Sequence, residues 1–366
     1  MAAETWRIAR VCRALARAAI VGAAVVALAG CAFYWQAIGG QIDLLRKRTP
    51  IEKLLADPAL DAKLKTELGA VAEIRGFAVT DLLLPDNKSY TTYVALDRPY
   101  VVWNVVAVEE FSVEPKRWCF PFVGCVSYRG FFDRADAERF EKKLAMDGYD
   151  TSSGGSDAYS TLGYFADPVL STMVGAGEQY VASTLFHELA HQKLYVKDDN
   201  EFSEALATAI EEYGTERWLD AHANELGLAA YRRRLAHRTD FATLVSAQQD
   251  RLRAVFASSD PVEQKRAAKA RAFDAMRADY AAVKQGWGSG DYDAWFAQPL
   301  NNATLAAVAT YRRWVPVLRA RIDALGLEAF YAEMAELAKL KVAERTARLE
   351  SLGTASATAG ASAQPR

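Results

Sequence analysis

The chain has 366 residues, 51% of them hydrophobic, and its 44 basic and 46 acidic residues leave a formal net charge of −2. That length can bury a sizeable core in one large domain or two ordinary ones. The near balance of charge offers no electrostatic footprint for nucleic acid, so no nucleic-acid partner is expected.

The N-terminus reads as a targeting segment rather than as fold. Arg7, Arg10, Arg13 and Arg17 precede an apolar run from Ala18 to Ala29. The run is too short to cross a bilayer, which takes about 20 residues. It ends in Leu28-Ala29-Gly30-Cys31, the pattern of a bacterial lipobox. Residues 1–30 are therefore expected to be a lipoprotein signal peptide, with Cys31 the lipidated first residue of the mature chain. Acyl chains there hold a protein on membrane lipid without a spanning helix. Ala32, not aspartate, follows Cys31, which favours the periplasmic face of the outer membrane. Cys12 lies in the signal. Export makes the remaining pair, Cys119 and Cys125 in WCFPFVGCVSYRG, a disulfide rather than a zinc site.

From Gln36 to Val79 the pattern is helical, with Pro50 and Pro58 at helix starts. From Tyr90 to Val113 the residues turn to Val, Thr, Tyr and Trp, and YTTYVAL and YVVWNVVAVEEFSV read as strands. DRADAERFEKKLAMDG is a helix capped by Asp133 and stopped at Gly148. YDTSSGGSDAYSTLGYFADPVL is an extended, turn-rich stretch, an edge strand or hairpin. Two helices follow, from about 178 to 219. Beyond Glu216 the chain is helical, with breaks at QGWGSGDYD and AQPLNN, and residues 352–366 are small and polar enough to be disordered. The whole reads as one α+β domain over residues 31–351, with a small β-sheet at about 90–170 and a predominantly helical C-terminal half.

Two of the four histidines stand in His187-Glu188-Leu189-Ala190-His191. On a helix, positions i and i+4 share a face one turn apart, so both imidazoles can reach one tetrahedral ion. The glutamate between them points aside, where it can take a proton from water rather than bind metal. The motif lies in the apolar run YVASTLFHELAH, where imidazole and carboxylate groups are costly unless paired or metal-bound. Glu204, separated from His191 by twelve residues, opens a second helix and can supply a third ligand. Its acidic start also suits the helix macrodipole, a purely structural reason for Glu201 and Glu204. Thr208 and Glu211 share the Glu204 face and can support the ligands by hydrogen bonds. Glu212 should point away from that face. His222 and His237 read as surface histidines.

H-E-x-x-H followed by a glutamate on the next helix resembles the gluzincin metallopeptidases. More closely, GCAFYWQAIGGQIDLL, CFPFVGCVSYRGFF, LGYFADPVLSTM, FHELAHQKLYVKDD and FSEALATAIEEYG resemble the family described as aminopeptidases of bacterial membranes. The resemblance implies a zincin-like metallopeptidase fold with one Zn2+ held by His187, His191 and Glu204. It also implies Glu188 as catalytic base and a peptide as substrate. The His191–Glu204 separation is shorter than in well-known gluzincins, and Ser203 stands where many have asparagine. Tyr164 and Tyr195 are candidate oxyanion donors. Glu178 and Glu211 are candidate partners for a substrate amine, and the strand near STLGYF is a candidate edge for an extended peptide. The competing reading is a non-catalytic lipoprotein scaffold with a structural or vestigial zinc site. An uncoordinated Glu188 between the ligands argues against it.

Overall fold

The computed structural model describes residues 35–120, 124–197, 199–308 and 312–362. The expected signal segment and Cys31 lie outside this range. The chain begins with helix α1 (residues 35–47), the short strand β1 (Thr49–Pro50) and α2 (Ile51–Leu55), followed by α3 (Ala62–Thr80). Pro50 does sit at a helix start, as the N-cap of α2. Pro58 does not. Asp61 caps α3 instead, accepting from the Leu64 amide, because a side-chain acceptor satisfies an orphan N–H that proline cannot.

The strands are β2 (Thr92–Val94), β3 (Val102–Glu109), β4 (Trp118–Phe120), β5 (Gly124–Val126) and β6 (Arg129–Phe131), then β7 (Tyr149–Ser156) and β8 (Val169–Leu170). They form three small sheets rather than one, ordered β1-β2-β8, β6-β3-β7 and β4-β5. Helix α4 (Arg134–Met146) joins β6 to β7. The Asp133 side chain caps it and Gly148, at φ +87°, follows its end. β7 pairs with β3 alone, as an edge strand.

Alternation along β3 explains its central place in the second sheet. Val105 and Ala107 pack with Phe131 and with Ala137 and Leu144 of α4. Val106 and Val108 point the other way, onto Ala303 and Ala306. Both faces are thus covered by helices.

Cys119 and Cys125 lie opposite each other in the β4–β5 pair and form a disulfide. Under non-reducing conditions both should resist alkylation until reductant is added. Labelling of either one without reductant contradicts the pairing.

The rest is helical: α5 (Ser171–Val174), α6 (Glu178–Lys193), α7 (Asn200–Ala221), α8 (Glu225–Ala257), α9 (Val262–Trp287), α10 (Asp293–Ala297) and α11 (Asn302–Val308). Helices α12 (Val315–Leu325), α13 (Leu327–Ala338) and α14 (Val342–Ser362) complete it. The segment expected to be disordered from 352 continues as helix to Ser362, because GTASATAGAS is rich in alanine, the strongest helix former. Residues 363–366 lie outside the described range.

The class is α+β. The largest core cluster gathers α3, α6, α7, β2, β8 and α12 to α14. The long α8 and α9 form a separate cluster with α10 around Phe241, Phe273, Met276 and Phe296. His237 is half-buried rather than fully exposed: it stacks on Trp287 at 4.5 Å and pairs with Asp291 at 2.7 Å. No helix among the described residues is long and apolar enough to cross a membrane.

Candidate metal centre

Helix α6 buries Val181, Ala182, Leu185, Phe186, Leu189 and Ala190 in the main core. Thr184, His187 and Glu188 stay half-buried on the remaining face. Helix α7 follows α6 and runs back antiparallel. The pairing is read from successive contacts. Trp218 Nε1 donates to Glu178 at 3.0 Å, and the hydroxyls of Ser183 and Thr215 lie 2.9 Å apart. His187 Nδ1 lies 3.0 Å from Glu211 Oε2. Gly214 allows this close approach, since a Cβ there would come within 2.5 Å of Leu82 and 2.9 Å of Phe186.

The turn itself is pinned. Ser203 Oγ accepts from the Val196 amide at 3.0 Å. Asp199 caps α7 by accepting from the Phe202 amide and is held by the buried Arg345 of α14. Ser203 therefore closes the hairpin at the position where the sequence resemblance expects asparagine.

This register brings His187, His191 and Glu204 together as a group that could hold a metal ion. The two Nε2 atoms are 3.1 Å apart. Glu204 reaches His187 Nε2 at 3.4 Å and His191 Nε2 at 3.6 Å. A tetrahedral site with ligands at about 2.0–2.1 Å has edges of about 3.3–3.4 Å, so the donors stand where such an ion would place them.

Electrostatics favour a cation. Burial works against a charged His187, but its hydrogen bonds to Glu204 and Glu211 prevail and raise its pKa. Burial likewise opposes ionisation of Glu204 and Glu211. The charges and hydrogen bonds of the histidines overcome it and hold both carboxyls below their usual range.

Glu211 is shared. Its Oε2 faces His187, and its Oε1 lies 3.4 Å from Arg238 Nη1 of α8. Arg238 also binds Glu212 at 2.6 Å, and Arg312 joins Glu212 at 2.7 Å. Glu212 does avoid the cluster. It is nonetheless buried, because two guanidinium groups compensate its charge. Arg238 was not legible in the sequence. An arginine amid the RRR-rich face of α8 carries no signal of which carboxylate it meets.

Glu188 lies on the same helix face as Tyr180 and Thr184. The segment between β7 and β8 runs beside it. Asp157 accepts from the Tyr180 hydroxyl at 3.0 Å, and Gly163 packs on Gln192. Asp167 is 1% exposed and anchors this segment, accepting from Thr161 N at 2.9 Å and Thr161 Oγ1 at 2.8 Å. Burial pushes its carboxyl up to about 6 despite those bonds, and the Glu188 charge adds to the rise. Burial also pushes the Tyr180 phenol up to about 12, and raises that of Tyr90, which the Glu188 charge further raises. Tyr90 holds φ +60° and its amide donates to Asp167 O. Asp167 and Tyr90 thus both feel the charge of Glu188, which the sequence did not foresee. The only sequence hint was the FADP stretch within the family-like LGYFADPVLSTM.

Other expected residues are placed as follows. Glu178 accepts from Trp218 near the start of α6, nine residues before His187. Tyr164 is 64% exposed. Tyr195 sets its ring edge-on to His191 at 5.9 Å, and its hydroxyl donates to Asn200. Thr208 is half-buried one turn beyond Glu204 and joins none of these contacts. The STLGYF stretch is not a strand: Leu162 and Gly163 take φ +55° and +82°, a left-handed turn that breaks the extended backbone.

Fold and site define an α+β protein with a two-histidine, one-glutamate centre on a helical hairpin. The chain belongs to the family described as “Putative aminopeptidase”, which it matches over residues 32–349. No curated protein and no solved structure matches it.

Proposed function

We propose that the protein is a zinc-dependent peptidase of the aminopeptidase type with a zincin-like core. His187, His191 and Glu204 hold one Zn2+, and Glu188 is the general base. The observation that carries this reading is the convergence of the three donors at tetrahedral edges of 3.1, 3.4 and 3.6 Å, with Glu188 next to His187 in the chain and outside the donor set. When bound, zinc polarises a peptide carbonyl and makes water acidic enough to lose a proton near neutral pH. Glu188 takes that proton as the water oxygen attacks the carbonyl carbon. It then passes the proton to the departing amine, so the side chain ends as it began. Glu211 fixes the His187 ring by holding Nδ1, leaving Nε2 turned toward Glu204. We further propose that lipid on Cys31 holds the mature chain at the periplasmic face of the outer membrane.

The test is metal analysis joined to a peptidase assay. One zinc per chain and chelator-sensitive release of the first residue from unblocked peptides are expected, with slower cleavage of N-blocked peptides. A well-folded protein that takes up no zinc and cleaves neither substrate refutes the proposal.

The shared Glu211 gives a sharper expectation. Arg238→Met should weaken zinc retention in chelator competition by roughly tenfold, because Glu211 loses the charge that holds it. Arg312→Met, which removes a contact to Glu212 only, should leave retention unchanged. Equal effects of the two would assign Arg238 to general stability instead.

A further inference from the structure

Helix α1 turns one polar side chain inward and several apolar ones outward. Gln36 points inward, where its Nε2 donates to Gly130 O at 3.3 Å and its Oε1 accepts from the Phe132 amide at 3.0 Å. Gly40 seats the helix directly on the Phe132 ring, since a Cβ there would come within 2.2 Å of it. Leu44, on the same side, is buried in the main core. The orientation of α1 is therefore fixed by the fold. The side it presents outward holds Trp35 at 72%, Ile38 at 49% and Ile42 at 40% exposure, with the exposed Arg46 one turn beyond. At 100° per residue these four fall within a sector of about 80°.

We propose that this stripe is a membrane-contact surface, on which α1 lies at the boundary between headgroups and acyl chains. Three features select lipid as the occupant. A tryptophan at one end of an apolar stripe and a cation at the other suit the interface, where an amphipathic ring and a basic group both find partners. Trp35 stands four residues beyond Cys31, so a lipid anchor there keeps the ring within about 14 Å of the attachment point even with the chain fully extended. This step rests on the lipid-anchor reading. Finally, three side chains offer far less than the roughly 800 Å² per partner of a stable protein interface, so a second copy is poorly served by this surface.

The experiment uses the mature chain carrying Cys31→Ser, so that no acyl chain contributes, with vesicles of phosphatidylethanolamine and phosphatidylglycerol bearing brominated acyl chains. The parent should sediment with vesicles, and bromine should quench a tryptophan signal that Trp35→Phe removes. Ile38→Ser with Ile42→Ser should lower the partition coefficient roughly tenfold at unchanged Tm and zinc content. Equal sedimentation of parent and variant, or a Trp35 signal untouched by bromine, overturns the proposal. So does a dimer in solution that the paired serine variant dissociates, since a second copy would then own the stripe. The lipid anchor is judged separately, by the mass of the N-terminal peptide from membrane-derived protein. An acylated Cys31 with unquenched Trp35 sinks the helix proposal alone, and an unmodified N-terminus with quenched Trp35 sinks the anchor alone.

Discussion

Glu188→Gln is expected to keep its zinc and lose hydrolysis by about 10²–10⁴-fold, the contribution typical of a positioned general base. The amide is nearly isosteric with the carboxylate and stands outside the donor set, so His187, His191 and Glu204 retain their arrangement. What the variant lacks is the ability to accept a proton. The environment of Glu188 makes the loss specific. Asp167 is buried and tied to Thr161, and Tyr90 is buried with its amide bonded to Asp167 O, so neither is free to move into the vacated role. The measurement is kcat alongside zinc content on the same preparation. Turnover within a few-fold of the parent would remove Glu188 as the base. Lost zinc would show instead that its side chain supports the ligands.

The second large effect separates Glu204 from Glu211. Glu204→Ala should remove most of the zinc affinity, whereas Glu211→Ala should cost only 10–100-fold, as for a residue that orients a ligand. Both carboxylates touch His187, but on opposite ring nitrogens: Glu204 at Nε2 and Glu211 at Nδ1. Only the Nε2 side also meets His191, so of the two carboxylates only Glu204 is placed where it could share an ion with both imidazoles. Chelator competition on the two variants checks the order. Zinc that survives Glu204→Ala but is lost with Glu211→Ala would reverse the assignment.

Several features were readable along the chain because they depend on neighbours a few residues apart. The pairing of His187 with His191 follows from helical periodicity. The Asp133 cap, the stop at Gly148, the strand character of β2 and β3 and the opposition of Cys119 to Cys125 follow from equally local chemistry. The choice of Glu204 over Glu211 was approachable for the same reason, since a short turn must return the start of α7 to the end of α6.

The remainder was decided by contacts between distant segments. The hairpin register depends on Gly214 admitting Phe186 and Leu82, and on Ser203 and Arg345 pinning the turn. That register, not the spacing in sequence, sets which nitrogen of His187 each glutamate meets. Glu212 is buried because Arg238 and Arg312, 26 and 100 residues away, neutralise it. Asp167 feels the charge of Glu188 because the chain between β7 and β8 runs along α6, and Tyr90 joins it from before β2 through its amide bond to Asp167 O. The outward turn of Trp35, Ile38 and Ile42 follows from Gly40 docking on Phe132. Periodicity along a chain specifies which residues share a face. Packing against another element specifies which face is inside, because only there do close approach and charge compensation decide the free energy of burial.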